Sequence, residues 1–146
     1  MVVRAYEEAD RAAIEGLVPR LCIGAAGWID PVAMLDAARG WVRESLRDNT
    51  VFVAEDGGAV VGFVTVKDRP HFTGMPEAYV GELVVAEESE GRGVGRALMA
   101  AVEDWARERR LVRVSLDTGA ANTAARRFYA ALGYEESDVR LTKSVT

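Results

Sequence analysis

Apolar residues recur at three- and four-residue intervals through the first third of the chain, and the pattern then shifts to short β-rich runs before returning to helical spacing. Residues 2–6 form a short apolar run with strand character. Asp10 stands where an N-cap would precede a helix over 11–18, in which Ile14, Leu17 and Val18 share a face and Pro19 ends the pattern. Asp30-Pro31 marks a second start, because aspartate caps and proline is pre-organised for the first helical position. Met34, Leu35, Ala38, Trp41, Val42 and Leu46 then supply an apolar stripe.

The period changes at Thr50. Runs at 51–54 and 60–66 flank Asp56-Gly57-Gly58, which is hairpin chemistry. The two prolines and Gly74 within 69–76 predict a loop, and 79–85 a third run. A glycine-rich turn at 91–95 leads into a long helix with Leu98, Ala101, Val102, Trp105 and Ala106 on one face. A strand at 112–116 follows, then a short helix at 123–132 between an Asn122 cap and Gly133 at C′. Two further strands are expected, near Tyr134 and at 139–143. Antiparallel hairpins followed by strand–helix–strand–helix predict one α/β (α+β) domain over 1–146. Its sheet is mixed and mostly antiparallel, flanked by about four helices, with parallel pairing between 79–85 and 112–116.

Composition narrows the class. The 146 residues are 49% hydrophobic and 28% charged, which fits a folded globular chain and excludes disordered, collagenous or disulfide-built ones. No apolar run approaches the ~18 residues of a membrane span, and the early acids argue against a signal peptide, so no membrane partner is expected. The lone Cys22 cannot form an intramolecular disulfide, which fits a cytoplasmic setting. A net charge of −5 disfavours nucleic acid and tolerates a cationic substrate. No metal site is read from the sequence.

The most informative stretch is Leu83-Val84-Val85 running through Ala86-Glu87-Glu88-Ser89 into Glu90-Gly91-Arg92-Gly93-Val94-Gly95-Arg96. An apolar strand enters a glycine-rich turn that opens a helix, so successive backbone N–H groups and the helix N-terminus can converge on a di- or polyphosphate. Arg92 and Arg96 can add charge-assisted contacts. A Walker loop would need Gly-Lys-Ser/Thr, and the only lysines are Lys67 and Lys143. The dinucleotide fingerprint would need glycine at Arg96 or Leu98. Both nucleotide readings fail.

Continued to Ala97-Leu98-Met99, the turn resembles the acetyl-CoA loop of the GCN5-related N-acetyltransferases (GNAT), whose pattern is Gln/Arg-x-x-Gly-x-Gly/Ala. Gly93 and Gly95 match, whereas Glu90 is acidic where a polar or basic residue is usual. A second segment, from Asn122 through Ala125, Phe128 and Tyr129 to Gly133-Tyr134, is similar to the family's Asn-x-x-Ala-x-x-Phe-Tyr-x-x-x-Gly-Phe/Tyr stretch. The resemblance implies acetyl-CoA as cosubstrate without a metal. The implied contacts are Leu83, Val84, Val85, Gly91, Arg92, Gly93, Val94, Gly95, Arg96, Asn122 and Tyr129. It also implies direct attack by a small-molecule or protein amine in a ternary complex, and it admits a homodimer.

In that reading the N–H of Val85 polarises the thioester and Tyr129 is the proton donor. Glu82, an acid interrupting an apolar strand and sharing a face with Val84, is the candidate base. Asp117 and a water chain remain alternatives for that role. His71, in a proline-flanked loop, is left out of the site. A non-catalytic acyl-CoA sensor on the same fold is the rival reading, separable from the enzyme by the effect of Tyr129→Phe on turnover.

Overall fold

Asp56 and Ala59 face each other across Gly57-Gly58, closing the hairpin between β2 (Thr50–Asp56) and β3 (Ala59–Pro70). The computed structural model describes residues 1–146. On one side of this hairpin lies β1 (Val2–Ala5), antiparallel to β2; on the other, β4 (Pro76–Val85) is antiparallel to β3. The fifth strand, β5 (Val114–Leu116), runs parallel to β4, giving a mixed sheet in the order β1-β2-β3-β4-β5.

Helices cover both faces. α1 (Arg11–Leu17) continues into a 3-10 turn at Val18–Cys22, where Pro19 ends the α-helical bonding. α2 (Pro31–Asp48) starts at Asp30, whose carboxylate accepts the Val32 N–H at 3.0 Å. Ile14, Val18, Ala38 and Val42 pack with Val53, Phe63 and Val84 on this face. On the other face, Leu98, Met99 and Val102 of α3 (Val94–Glu108) pack with Val64, Val66, Ala78 and Val80. α4 (Thr123–Ala131) packs on the same core through Phe128 and Tyr129, its Asn122 Oδ1 accepting the Ala125 N–H at 3.2 Å. Its other end is a Schellman turn in which the Gly133 and Tyr134 N–H groups bond back to Ala130 and Tyr129. None of these helices is long and apolar enough to cross a membrane.

One irregularity in β4 positions the site. Val64 pairs with Leu83 and Val66 with Val80, so Thr65 alone faces both Gly81 and Glu82. This bulge shifts the alternation by one residue. Ala78 and Val80 therefore face α3, whereas Glu82 and Val84 face α1 and α2.

Four local expectations are corrected. Asp10 makes no side-chain bond to α1; its carboxylate accepts the Glu7 N–H at 2.8 Å and both arms of the Arg4 guanidinium at 2.8 and 2.9 Å. A forked, charge-assisted pair outweighs a single capping bond. No strand forms near Tyr134 or over 139–143, where Val139 and Leu141 stay exposed. The segment does not pair with the open edge of β5; Glu136 pairs with Arg126 and Asp138 with His71 instead. His71 keeps only 15% of its side chain exposed beside Asp138. Trp41 is exposed because the buried stripe of α2 runs through Ala38, Val42, Ser45 and Leu46.

Candidate active site

β4 and β5 part company partway along β4. Their last paired residues are Val80 and Leu116. Side chains fasten the two segments around that point: Ser115 Oγ donates to the buried Glu77 carboxylate, and Tyr79 Oη donates at 2.6 Å to Asp117, just past the end of β5. Burial alone would raise the Glu77 pKa, but the bonds from Ser115 and Arg69 leave it below the ordinary value. Arg69 also stacks over Tyr79, its guanidinium carbon 3.6 Å from the ring centroid. Above it β5 ends while β4 continues to Val85.

The continuing stretch of β4 presents backbone donors to the gap. The Ala86 N–H bonds Val61 O at 2.8 Å and Gly62 faces Val85, which makes Val85 a non-hydrogen-bonded position toward β3. Two residues earlier, Leu83 opposite Val64 has the same parity. The N–H groups of both residues therefore point away from β3, into the space beyond the end of β5.

This edge runs directly into the glycine turn. Gly91 and Gly93 have φ of 74° and 82°, left-handed values that favour glycine, and Gly93 is the N-cap of α3. The turn thus directs the first N–H groups of α3 outward, with Arg92 and Arg96 exposed beside them. Val94 is buried among core residues and anchors the turn. Asn122 lies half-buried at the head of α4.

Glu82 and Tyr129 sit on opposite sides of this edge. Glu82 is 92% buried, and Ser45 Oγ and Thr65 Oγ1 both donate to its Oε2. Burial raises its pKa, and the two hydroxyl bonds only partly counter that. Tyr129 belongs to the α3 side, edge-on to Phe128 and Tyr134 with ring centroids 5.0 and 5.8 Å away. Burial pushes its pKa up to about 12, so its hydroxyl carries a proton at neutral pH. Asp117 is exposed and already engaged by Tyr79.

The chain is similar in sequence to several acetyltransferases. The family model described as Acetyltransferase (GNAT) family matches residues 21–134. Aminoglycoside N(6')-acetyltransferase type 1 of Serratia marcescens is 31% identical over 107 residues, covering 68% of this chain and 73% of that protein. The chain belongs to the GNAT acetyltransferase family. N-acetyltransferase 8 of Rattus norvegicus is 30% identical over 107 residues, 71% of this chain and 46% of that protein, so the chain spans about half the length of such relatives. Among solved structures, AAC(6')-Iy in complex with the bisubstrate analogue CoA-S-monomethyl-acetylneamine superposes with a TM-score of 0.76 at 23% identity, covering 99% of this chain and 97% of that one.

Leu83 and Val85 border the gap and lead into the 91–96 turn. Glu82 lies on the α2 face of β4, Tyr129 packs on the α3 side, and the Asn122 side chain lies against Gly24. Three residues bearing on the site escaped the sequence reading. Ser45 and Thr65 hold the Glu82 carboxylate; a polar residue on the otherwise apolar stripe of α2 was the available signal for Ser45. Arg20 is the third: its Nε donates to Val85 O at 2.8 Å and its Nη2 to Glu90.

Proposed function

We propose that this domain transfers an acetyl group from acetyl-CoA to a primary amine. The observation that carries the reading is the free edge of β4: outward N–H groups at Leu83 and Val85 lead straight into an anion-receiving turn. An extended amide chain ending in a diphosphate fits that order of donors. Pantetheine supplies the first part and the CoA diphosphate the second.

The two outward N–H groups serve the pantetheine amide and the thioester carbonyl. A donor aimed at the oxygen that gains negative charge contributes roughly 3–4 kcal/mol. Glu82, reached from the α2 face, accepts the proton lost by the amine nitrogen, directly or through water. Its raised pKa suits a base working near neutrality. The new C–N bond forms as the C–S bond breaks, and Tyr129 Oη gives its proton to the departing sulfur. Because the two residues lie on opposite faces of the sheet, amine and thioester approach each other across the gap.

The acceptor is a small cationic amine. The domain's net charge of −5 supports this, as do the names of its relatives, which include an aminoglycoside acetyltransferase. A thiol-release assay with acetyl-CoA against a panel of amines tests the function. Release dependent on an amine and lost in Tyr129→Phe supports it. Tight acetyl-CoA binding with no release for any amine favours a non-catalytic sensor.

A further inference from the structure

The turn that opens α3 carries an electrostatic contradiction. Its backbone is arranged for an anion, yet Glu87, Glu88 and Glu90 are all exposed on its approach. The carboxylate of Glu90 is three residues before Gly93, the N-cap of α3. Left alone, it would repel the diphosphate that the proposed function brings here.

It is not left alone. Arg20, at the 3-10 turn that follows α1 and seventy positions upstream, places its Nη2 on Glu90 Oε1. The same guanidinium is anchored by the Nε bond to Val85 O, and Nη1 lies 4.0 Å from Glu87. Only two of its five N–H donors are spent in hydrogen bonds. The side chain is 21% exposed, so it is held in position while its outer edge faces solvent. An anchored guanidinium with free donors, next to backbone N–H groups aimed outward, is the geometry that binds a phosphate.

We propose that Arg20 is a diphosphate-binding residue of the acyl-CoA site and that Glu90 occupies it as an internal competitor. The carboxylate takes the place of a phosphate oxygen in the free protein, and the CoA diphosphate displaces it. Arg20 thereby connects two parts of the cofactor track, since its Nε holds the carbonyl of the residue whose N–H faces the gap. The inference rests on the acetyl-CoA reading and adds to it a residue from outside both sequence motifs.

The sign of the Glu90→Gln effect tests it. Acetyl-CoA is titrated calorimetrically into wild type, Arg20→Ala, Arg20→Lys and Glu90→Gln, with thermal unfolding recorded for each. Wild type binds, and Arg20→Ala weakens binding by about tenfold, the loss of one charge-assisted bond. Arg20→Lys recovers part of that loss, because charge is kept and the fork is not. Glu90→Gln binds acetyl-CoA more tightly than wild type, and its affinity falls more steeply with salt. If Arg20 and Glu90 merely tie the loop down, Glu90→Gln weakens binding as Arg20→Ala does, and the proposal is overturned. It is also overturned if wild type binds and Arg20→Ala binds equally well. Failure of folded wild type to bind acetyl-CoA would instead remove the reading on which the inference rests.

Discussion

The ring of Phe128 lies against the Cα of Gly95: a Cβ at Gly95 would meet Phe128 Cζ at 3.0 Å and Val85 Cγ2 at 3.7 Å. The glycine turn and the α4 motif, which look independent in sequence, are one packing unit. Gly95 lets α4 approach the start of α3, where Phe128 and Val85, the last residue of β4, close on the same point. The missing side chain at 95 is thus a steric requirement of the packing between the turn and α4.

Gly95→Ala accordingly pushes Phe128 out of place. Overpacking of this kind costs about 1–3 kcal/mol, against a gain below about 1 kcal/mol from helix propensity in the first turn. The variant unfolds at a lower temperature. Adding Phe128→Leu gives a double variant less destabilised than the sum of the two single changes, as measured by denaturant unfolding. Additive effects would show that the contact does not carry the cost.

Tyr129→Phe keeps the packing against Phe128 and Tyr134 and removes one proton. The expected outcome is a turnover number lower by roughly 10²–10⁴-fold, with the acetyl-CoA dissociation constant nearly unchanged. Because burial holds the hydroxyl pKa near 12, this residue places no limb on the pH profile of wild type below pH 9. A drop in binding equal to the drop in turnover would assign Tyr129 a packing role.

Glu82 links activity to stability through its pH dependence. Its folded-state pKa is raised above the ordinary 4.5, so the folded form holds its proton longer than the unfolded chain does. Stability from this group is present at low pH and is lost as pH rises from 4.5 through the folded pKa. Glu82→Gln therefore gains stability relative to wild type as pH rises across that window. In kinetics, wild-type kcat/KM rises with pH as the carboxylate ionises, and Glu82→Gln loses that limb along with most of its turnover. A variant with full activity and an unchanged acid limb would transfer the base role to a water chain.

The Arg4–Asp10 pair works with the opposite sign. The Arg4 bonds hold the Asp10 carboxyl below its ordinary value of 3.8, so its contribution is present above that pH and disappears as pH falls through the folded value. Asp10→Asn should unfold at lower temperature than wild type at pH 7, and the difference should shrink in acid. A difference independent of pH would mean that shape, not charge, is what Asp10 supplies.

Much of the architecture was legible because it is local. The 57–58 hairpin, the Asp30 and Asn122 caps and the Gly133 stop follow from residues close in the chain, and the parallel partner of β4 from the strand–helix–strand order. Glu82 stood out for a local reason too, as a charge inside an apolar strand. Its two hydroxyl partners did not, since they come from α2 and β3 and meet it only through the bulge at Gly81 and Glu82. Arg20 was invisible for the same reason: nothing in its neighbourhood announces partners at Val85 and Glu90, some seventy positions on. The expected C-terminal strands failed differently, because alternation reports a face and never supplies the edge that a strand must bond.

The account stands on acetyl-CoA binding at the free edge of β4, and a calorimetric titration of the folded protein addresses that most directly, with ATP and NAD at the same salt as controls. The expected result is selective binding of acetyl-CoA in the micromolar range, lost when bulky side chains replace Gly93 and Gly95. Binding of ATP or NAD as tightly as acetyl-CoA, or no binding of any of the three, would contradict it.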